Sequence, residues 1–187
     1  FGVKQRQALE SKGKSPHVLI MTATPIPRTM ALSVYGDLDV SFIKGMPPGR
    51  HPVKTYVVGS HMLQRIFRFM KKEMESGHQA YVVCPLVEQS EKQDLAAAVS
   101  VYENLRDHVF PQFGVGLVHG RMKNAEKEQV MEDFRKGKFK LLVATSVIEV
   151  GVNVPDATVM FVYGADRFGL SQLHQLRGRV GRGKEQA

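Results

Sequence analysis

The amino-acid sequence predicts an α/β domain, a parallel sheet with helices on both faces. Three observations carry this. Strand-like and helix-like stretches alternate after residue 52. The strand-like stretches are continuous apolar runs, as expected when both faces of a strand are buried. A Gly/Pro-rich stretch, Asp37 to Pro52, separates this alternation from what precedes it, with Met46-Pro47-Pro48-Gly49-Arg50 at its centre.

Taken in order, Val18 to Met21 reads as a buried strand. It ends in Thr22-Ala23-Thr24-Pro25-Ile26-Pro27, where two prolines forbid further ladder pairing. Val53 to Val58 is strand-like. Ser60 is placed to cap a helix through Ser76, along which Met62, Ile66, Met70 and Met74 recur at every fourth position until Gly77 stops it. Tyr81 to Cys84 is a buried strand. Glu91 to Val109 is helical, with Leu95, Val99, Tyr102 and Leu105 on one face. Val115 to Val118 is a strand, followed by a helix from Asn124 to Lys136 with Val130 and Phe134 inward. Leu141 to Ala144 and Val159 to Tyr163 are two further strands, and Ser171 caps a last helix. In open parallel sheets ligands bind beyond the carboxyl ends of the strands. The loops after Cys84, Val118, Ala144 and Tyr163 are therefore the first places to look for function.

Composition excludes several classes. The 187 residues carry 26 Lys+Arg against 18 Asp+Glu, a formal charge of +8, and a basic balance favours a polyanionic partner. With 43% hydrophobic and 24% charged residues, the chain is neither disordered nor collagen-like nor a coiled coil. One cysteine, Cys84, excludes a disulfide framework, fits a reducing compartment, and at the end of a buried strand reads as a packing residue. No apolar run reaches the ~18 residues that span a bilayer, so no membrane contact is expected. Phe1-Gly2-Val3-Lys4 carries neither an initiator Met nor a signal pattern, which suggests a piece of a longer chain.

Among candidate sites, Gly13-Lys14-Ser15 resembles the end of a phosphate-binding loop. The position that loop requires to be Gly is Ala8, however, and the segment precedes a proline and a strand. It reads as a solvated basic loop. The seven histidines show no metal-ligand spacing and no metal site is expected; His119 is as well explained by loop packing as by a ligand.

Two segments stand out. Gln175-Leu176-Arg177-Gly178-Arg179-Val180-Gly181-Arg182 places three arginines and two glycines on a short helix, where each Gly costs about 1 kcal/mol relative to Ala. Arg179 and Arg182 are three apart and would share a helix face, and two forked guanidiniums suit bidentate recognition of phosphate. Ala144 to Pro155 begins at a strand end with two hydroxyls, Thr145 and Ser146, and continues through Gly151 to Asn153. Hydroxyls and free backbone N–H groups at such a junction are a usual way to hold a nucleic-acid phosphate.

Together, Thr22-Ala23-Thr24, the Ala144 to Pro155 stretch and the Gln175 to Arg182 stretch resemble motifs III, V and VI of superfamily 2 helicases, in order and across the whole chain. Pro25-Ile26-Pro27-Arg28-Thr29 and Gln172-Leu173-His174 narrow the resemblance to the bacterial RecG and transcription-repair coupling translocases. Pro47-Pro48-Gly49-Arg50, Cys84 to Glu91 and Gly116 to Met122 look like the RecG family. The resemblance implies that residues 1–40 are the tail of a first RecA-like motor domain, 41–52 a linker, and 53–187 a second RecA-like, P-loop NTPase-type motor domain.

It further implies an ATP-dependent translocase or helicase that remodels branched DNA such as stalled forks and Holliday junctions. Such a protein is bacterial, cytoplasmic and monomeric, and uses ATP and Mg2+, the Mg2+ ligands belonging to the first motor domain. That domain and a wedge domain of the same chain are its other partners. By resemblance, Arg179 and Arg182 reach the γ-phosphate as catalytic residues. Gly151, Asn153 and Gln175 serve nucleotide binding, although position 153 is often Asp in the family. Thr145 contacts a DNA phosphate, and Thr22 and Thr24 couple hydrolysis to strand movement. Lacking a phosphate-binding loop and an acidic box, the sequence alone is expected to be catalytically inactive. The alternatives are the matching domain of the coupling translocase, a nucleic-acid-binding module without nucleotide chemistry, and a small-molecule enzyme on an open α/β sheet.

Overall fold

The computed structural model describes residues 19, 21, 41, 43, 45, 51–85, 91–145, 154–183 and 185–187, with only the backbone for Glu91 and Lys92. The chain divides into two compact units, Phe1–Phe42 and Ile43–Ala187, and the elements below belong to the second. Thr22, Thr24, Gly151 and Asn153 lie outside the described residues, as do the Thr22 to Pro27 segment and Pro47 to Arg50.

Among the described residues, eight α-helices and strands follow one another: α1 (Leu63–Glu75), β1 (Gln79–Cys84), α2 (Glu91–Asn104), β2 (Val115–Val118), α3 (Asn124–Arg135), β3 (Leu141–Thr145), β4 (Ala157–Val162) and α4 (Leu170–Arg177). The four strands are parallel and lie in the order β2-β3-β1-β4. β1 and β3 are the interior pair, and all their residues are buried, which is why they read as unbroken apolar runs.

Side chains alternate across the sheet and sort the core into two layers. Ala80, Val82, Cys84, Leu141 and Val143 face α1 and α2 through Phe67, Met70, Met74, Ala98 and Leu105. Tyr81, Val83, Leu142 and Ala144 face α3 and α4 through Met131, Phe134 and Leu176, with Val154 and Val180 in the same layer. Register fixes the division, since Tyr81 stands opposite Leu142 and Val82 opposite Val143. Tyr81 also meets Phe134 edge-on at 5.1 Å between ring centroids. At the amino end of β1, the buried Gln79 amide donates to the carbonyls of Phe134 at 2.6 Å and Phe139 at 3.2 Å. It thereby ties the amino end of β1 to the end of α3 and to the segment that follows it.

The expected fold class holds, and several local expectations do not. Residues 51–59 form no strand, and Tyr56 and Val57 are exposed. Among the described residues no strand neighbours Val53 to Val58, so their β-branched composition finds no ladder to join there. Ser60 makes no cap bond; it opens a single 3-10 turn, Ser60–Met62, that runs into α1. Of the four-residue stripe, Met70 and Met74 are buried but Met62 and Ile66 only half so, because Phe67 takes the central core position. The α-helix from Glu91 ends at Asn104 and continues as one π turn, Leu105–Val109. Its core face centres on Asp94, Ala98 and Leu105, with Leu95, Val99 and Tyr102 only half-buried beside it. Ser171 does not cap α4; Gly169 holds that position, and its N–H donates to the Gln172 side chain at 3.0 Å.

Candidate functional site: an arginine turn and a polar strand edge

The arginines of the Gln175 to Arg182 segment leave the helix. α4 ends at Arg177 with Gly178 as its C-cap, so Arg179 and Arg182 lie in the turn beyond it and share no helix face. The turn is instead built from three local fixings. The Gly178, Arg179 and Val180 N–H groups donate back to His174, Leu176 and Arg177 at 3.1, 2.9 and 3.4 Å, closing the helix end. Val180, 2% exposed, is driven into the core layer between the two arginines. Gly181, at φ +64°, then reverses the chain so that its N–H reaches the Ala157 carbonyl at the start of β4, at 3.2 Å. A left-handed residue costs any side chain but glycine about 1–2 kcal/mol, which accounts for the Gly.

Arg182 folds back over the helix end, its Nε donating to the Gly178 carbonyl at 3.0 Å. A cation at this terminus is favoured by the helix dipole, and one of five guanidinium N–H donors orients the fork. Gly183 follows against the backbone of Pro155, where a β-carbon would come within 2.6 Å of the Pro155 carbonyl oxygen. The structure thus joins the end of the Ala144 to Pro155 stretch to the arginine turn. This junction lies at the amino end of β4, away from the loops after Cys84, Val118, Ala144 and Tyr163. Beneath it sits Tyr81, whose phenol burial pushes up to about 12, against the opposing pull of Arg182 and then Arg179. Gln175 is exposed on α4, one position before buried Leu176.

A second cluster occupies the carboxyl edge of the sheet. Thr145, 1% exposed, ends β3 opposite Cys84, and its Oγ1 has no hydrogen-bond partner among the described residues. His119 stands one residue past Val118, whose partner is Ala144, and its Nδ1 is also buried without a partner among the described residues. By strand alternation the Thr145 side chain points to the α1–α2 face, as Leu141 and Val143 do. A buried polar atom left unpaired costs about 1–3 kcal/mol, so both atoms call for a partner beyond the described residues, from the chain or from a ligand. The surroundings are basic. Burial, then Lys127 and Arg121, hold the His119 imidazole below its usual pKa. Lys127 is fixed by donating to the Gly120 carbonyl at 2.9 Å. For His119 the sequence leaves loop packing and a ligand contact equally open, because a lone histidine has no spacing signature; its position near Thr145 follows from the β2–β3 register.

Across the same edge, the Arg167 terminal nitrogen donates to both Asp94 carboxylate oxygens at 2.9 and 3.1 Å. This pair ties the first turns of α2 to the turn that follows β4. Among the described residues no group of three or more His, Cys, Asp or Glu gathers, and no helix is long and apolar enough to cross a membrane.

A family model described as the helicase conserved C-terminal domain matches residues 60–184. The chain belongs to this helicase C-terminal family. It is 55% identical over 187 residues to the ATP-dependent DNA helicase RecG of Bacillus subtilis and 52% identical to that of Thermotoga maritima, covering 27% and 24% of those proteins and all of this chain. The chain therefore spans about a quarter of the length of the curated relatives it matches. Among solved structures, RecG bound to a three-way DNA junction superposes with a TM-score of 0.71 at 49% identity, over 86% of this chain and 21% of that one. The second helicase domain of the DEAD-box protein Mss116p bound to an RNA duplex matches at TM-score 0.50 and 20% identity, over 66% of this chain and 47% of that one, a likeness of fold alone. The architecture of this helicase C-terminal domain is accordingly RecA-like.

Proposed function

We propose that this helicase C-terminal domain is the second motor domain of an ATP-driven DNA translocase that remodels branched DNA in the bacterial cytoplasm. The observation that carries the proposal is the arginine turn. Its two arginines flank a buried valine, between a helix end and the start of a strand, and the Arg182 fork is oriented by its bond to the Gly178 carbonyl. In this reading Arg179 and Arg182 meet the γ-phosphate of ATP bound on the first motor domain, and stabilise charge on the transferring group. Two arginine forks fit a phosphate bidentately, and the phosphate-binding loop and Mg2+ ligands of such a site belong to the first motor domain. Gln175 on the exposed side of α4 then faces the closed interface, Gly151 and Asn153 serve the nucleoside, and Thr22 and Thr24 transmit the change.

The polar strand edge holds the translocated strand. Thr145 Oγ1 donates to one backbone phosphate and His119 contacts the same phosphate or its neighbour, with Arg121, Lys123 and Lys127 supplying the sequence-independent attraction. RecG is bound to a three-way junction in its solved structure, and similarity at 49% identity supports branched DNA as the substrate here.

The test compares DNA-stimulated ATP hydrolysis by the full-length protein with hydrolysis by this chain alone. Turnover is expected in the first and none above background in the second, since the chain supplies arginines without a phosphate-binding loop. Robust hydrolysis by the chain alone would overturn the assignment of halves.

A further inference from the structure

The segment that enters this domain is fastened to the segment that leaves the arginine turn. The Lys54 N–H donates to the Ala187 carbonyl at 2.9 Å, and the Gln186 amide donates to the Pro52 carbonyl at 2.7 Å. Between these two bonds Val53 packs onto the core layer that contains Val180, Leu176 and Tyr81. A β-carbon on Gly181 would lie 3.3 Å from Val53 Cγ2 and 3.0 Å from Ala187 Cβ. Val53 and Ala187 therefore close over the one residue that separates the buried Val180 from Arg182. The bond from the Gly181 N–H to the Ala157 carbonyl and the packing of Val53 and Ala187 together fix where the next residue begins.

We propose that Val53 is a positioning residue for Arg182, acting through Gly181 and held in place by the seam between residues 52–54 and 186–187. Among the described residues the seam is short, two hydrogen bonds and one half-buried valine, and it lies where the Gly/Pro-rich stretch ends. A pull on that stretch reaches the arginine turn through Val53 without passing through the sheet. The proposal rests on the assignment of Arg182 to the nucleotide phosphate.

The experiment uses the full-length protein with Val53→Ala, Val53→Ile, Arg182→Ala and the Val53→Ala/Arg182→Ala pair, reading DNA-stimulated kcat, KM for ATP and nucleotide-free DNA affinity. Val53→Ala is expected to lower kcat about tenfold, since small misplacements of a catalytic group cost up to ~10²-fold. KM and DNA affinity should stay within about twofold, and Val53→Ile should recover kcat, because only a contact realised in the transition state has been disturbed. In the Arg182→Ala background, Val53→Ala should change kcat no further, having nothing left to position. Wild-type kcat in Val53→Ala, or an undiminished further loss in the double variant, would overturn the proposal. If Val53→Ala fails to fold, Gln186→Ala decides: it sits on an exposed residue, removes the bond to Pro52, and should lower kcat about threefold with the same unchanged KM; an unaltered kcat overturns the seam. Normal kcat in Arg182→Ala would instead bring down the parent assignment. Loss in Arg182→Ala with none in Val53→Ala or Gln186→Ala would bring down this proposal alone.

Discussion

Thr145 ends an interior strand, paired with β1 through Thr145 itself and with β2 as far as Ala144, whereas Arg182 stands in a turn beyond the end of a helix. The strand edge is placed by hydrogen-bond ladders and carries polar atoms with no partner among the described residues. The arginine turn is placed by one buried valine, one left-handed glycine and a bond from Arg182 to the helix end. A ladder-held site is stiff and receives its ligand as built. A packing-held turn depends on every contact beneath it, so it is the region where stability and chemistry are coupled. The difference suits the proposed roles. Gripping a phosphate needs a fixed donor, while completing a nucleotide site needs a group that neighbouring motion can bring into place or withdraw.

The comparison can be broken by substitutions on each side. Val180→Ala removes the buried support of the turn and should lower stability by about 2–3 kcal/mol, with a disproportionate loss of kcat. A denaturant titration alongside steady-state ATPase of the full-length protein checks both, and intact turnover would mean that packing does not place the arginines. Gly181→Ala should cost about 1–2 kcal/mol, from the positive φ and the crowding by Val53 and Ala187; a neutral melting temperature would show that the turn relaxes freely.

On the strand side the sign reverses. Thr145→Val replaces an unpartnered buried hydroxyl with a methyl group, so stability should hold within about 0.5 kcal/mol or rise. Nucleotide-free DNA affinity should nevertheless fall about tenfold, the worth of one hydrogen bond to a charged group. Clear destabilisation by this change would show that the hydroxyl already has a structural partner.

The smallest effects are those of pH. Tyr81 and Tyr163 are held up to about 12 and Cys84 up to about 11, chiefly by burial, from ordinary values of 10.0 and 9.0. All three bind protons more tightly folded than unfolded, so the stability they contribute is complete below about pH 9 and is lost as pH rises toward 12. Melting temperatures across that range should fall, and Tyr81→Phe should flatten part of the fall. For His119 the shift is downward, so in the free protein its acid titration opposes folding below its usual range. A phosphate beside it reverses the balance, and DNA affinity should rise as pH falls from 7.5 to 6, a rise that His119→Gln removes.

The sheet was legible because β1 and β3 are buried on both faces and show it as unbroken apolar runs. The arginine segment was legible because three arginines and two glycines make no sense as a plain helix. Its geometry was not. The i, i+3 spacing of Arg179 and Arg182 suggests a shared helix face only if the helix continues, and Gly178 and Gly181 end it through contacts with Ala157 and the helix's own last turn. Val53 to Val58 was misread for a related reason, since composition reports what could sit in a strand and not whether a neighbouring strand is there. The Asp94–Arg167 pair and the His119–Thr145 proximity were out of reach altogether, being set by strand order and register across more than twenty residues of chain.

The central claim is that the turn acts on nucleotide and the strand edge on DNA. It is tested most directly by measuring two quantities on two variants of the full-length protein, DNA-stimulated kcat and nucleotide-free DNA affinity for Arg182→Ala and Thr145→Val. Arg182→Ala should lower kcat by ~10²-fold or more, the usual order for one charge-stabilising donor, and leave DNA affinity nearly unchanged. Thr145→Val should weaken DNA affinity and retain turnover at saturating DNA. Weakened DNA binding with near-normal kcat in Arg182→Ala would contradict the account, because it would make the arginine turn an ordinary basic patch.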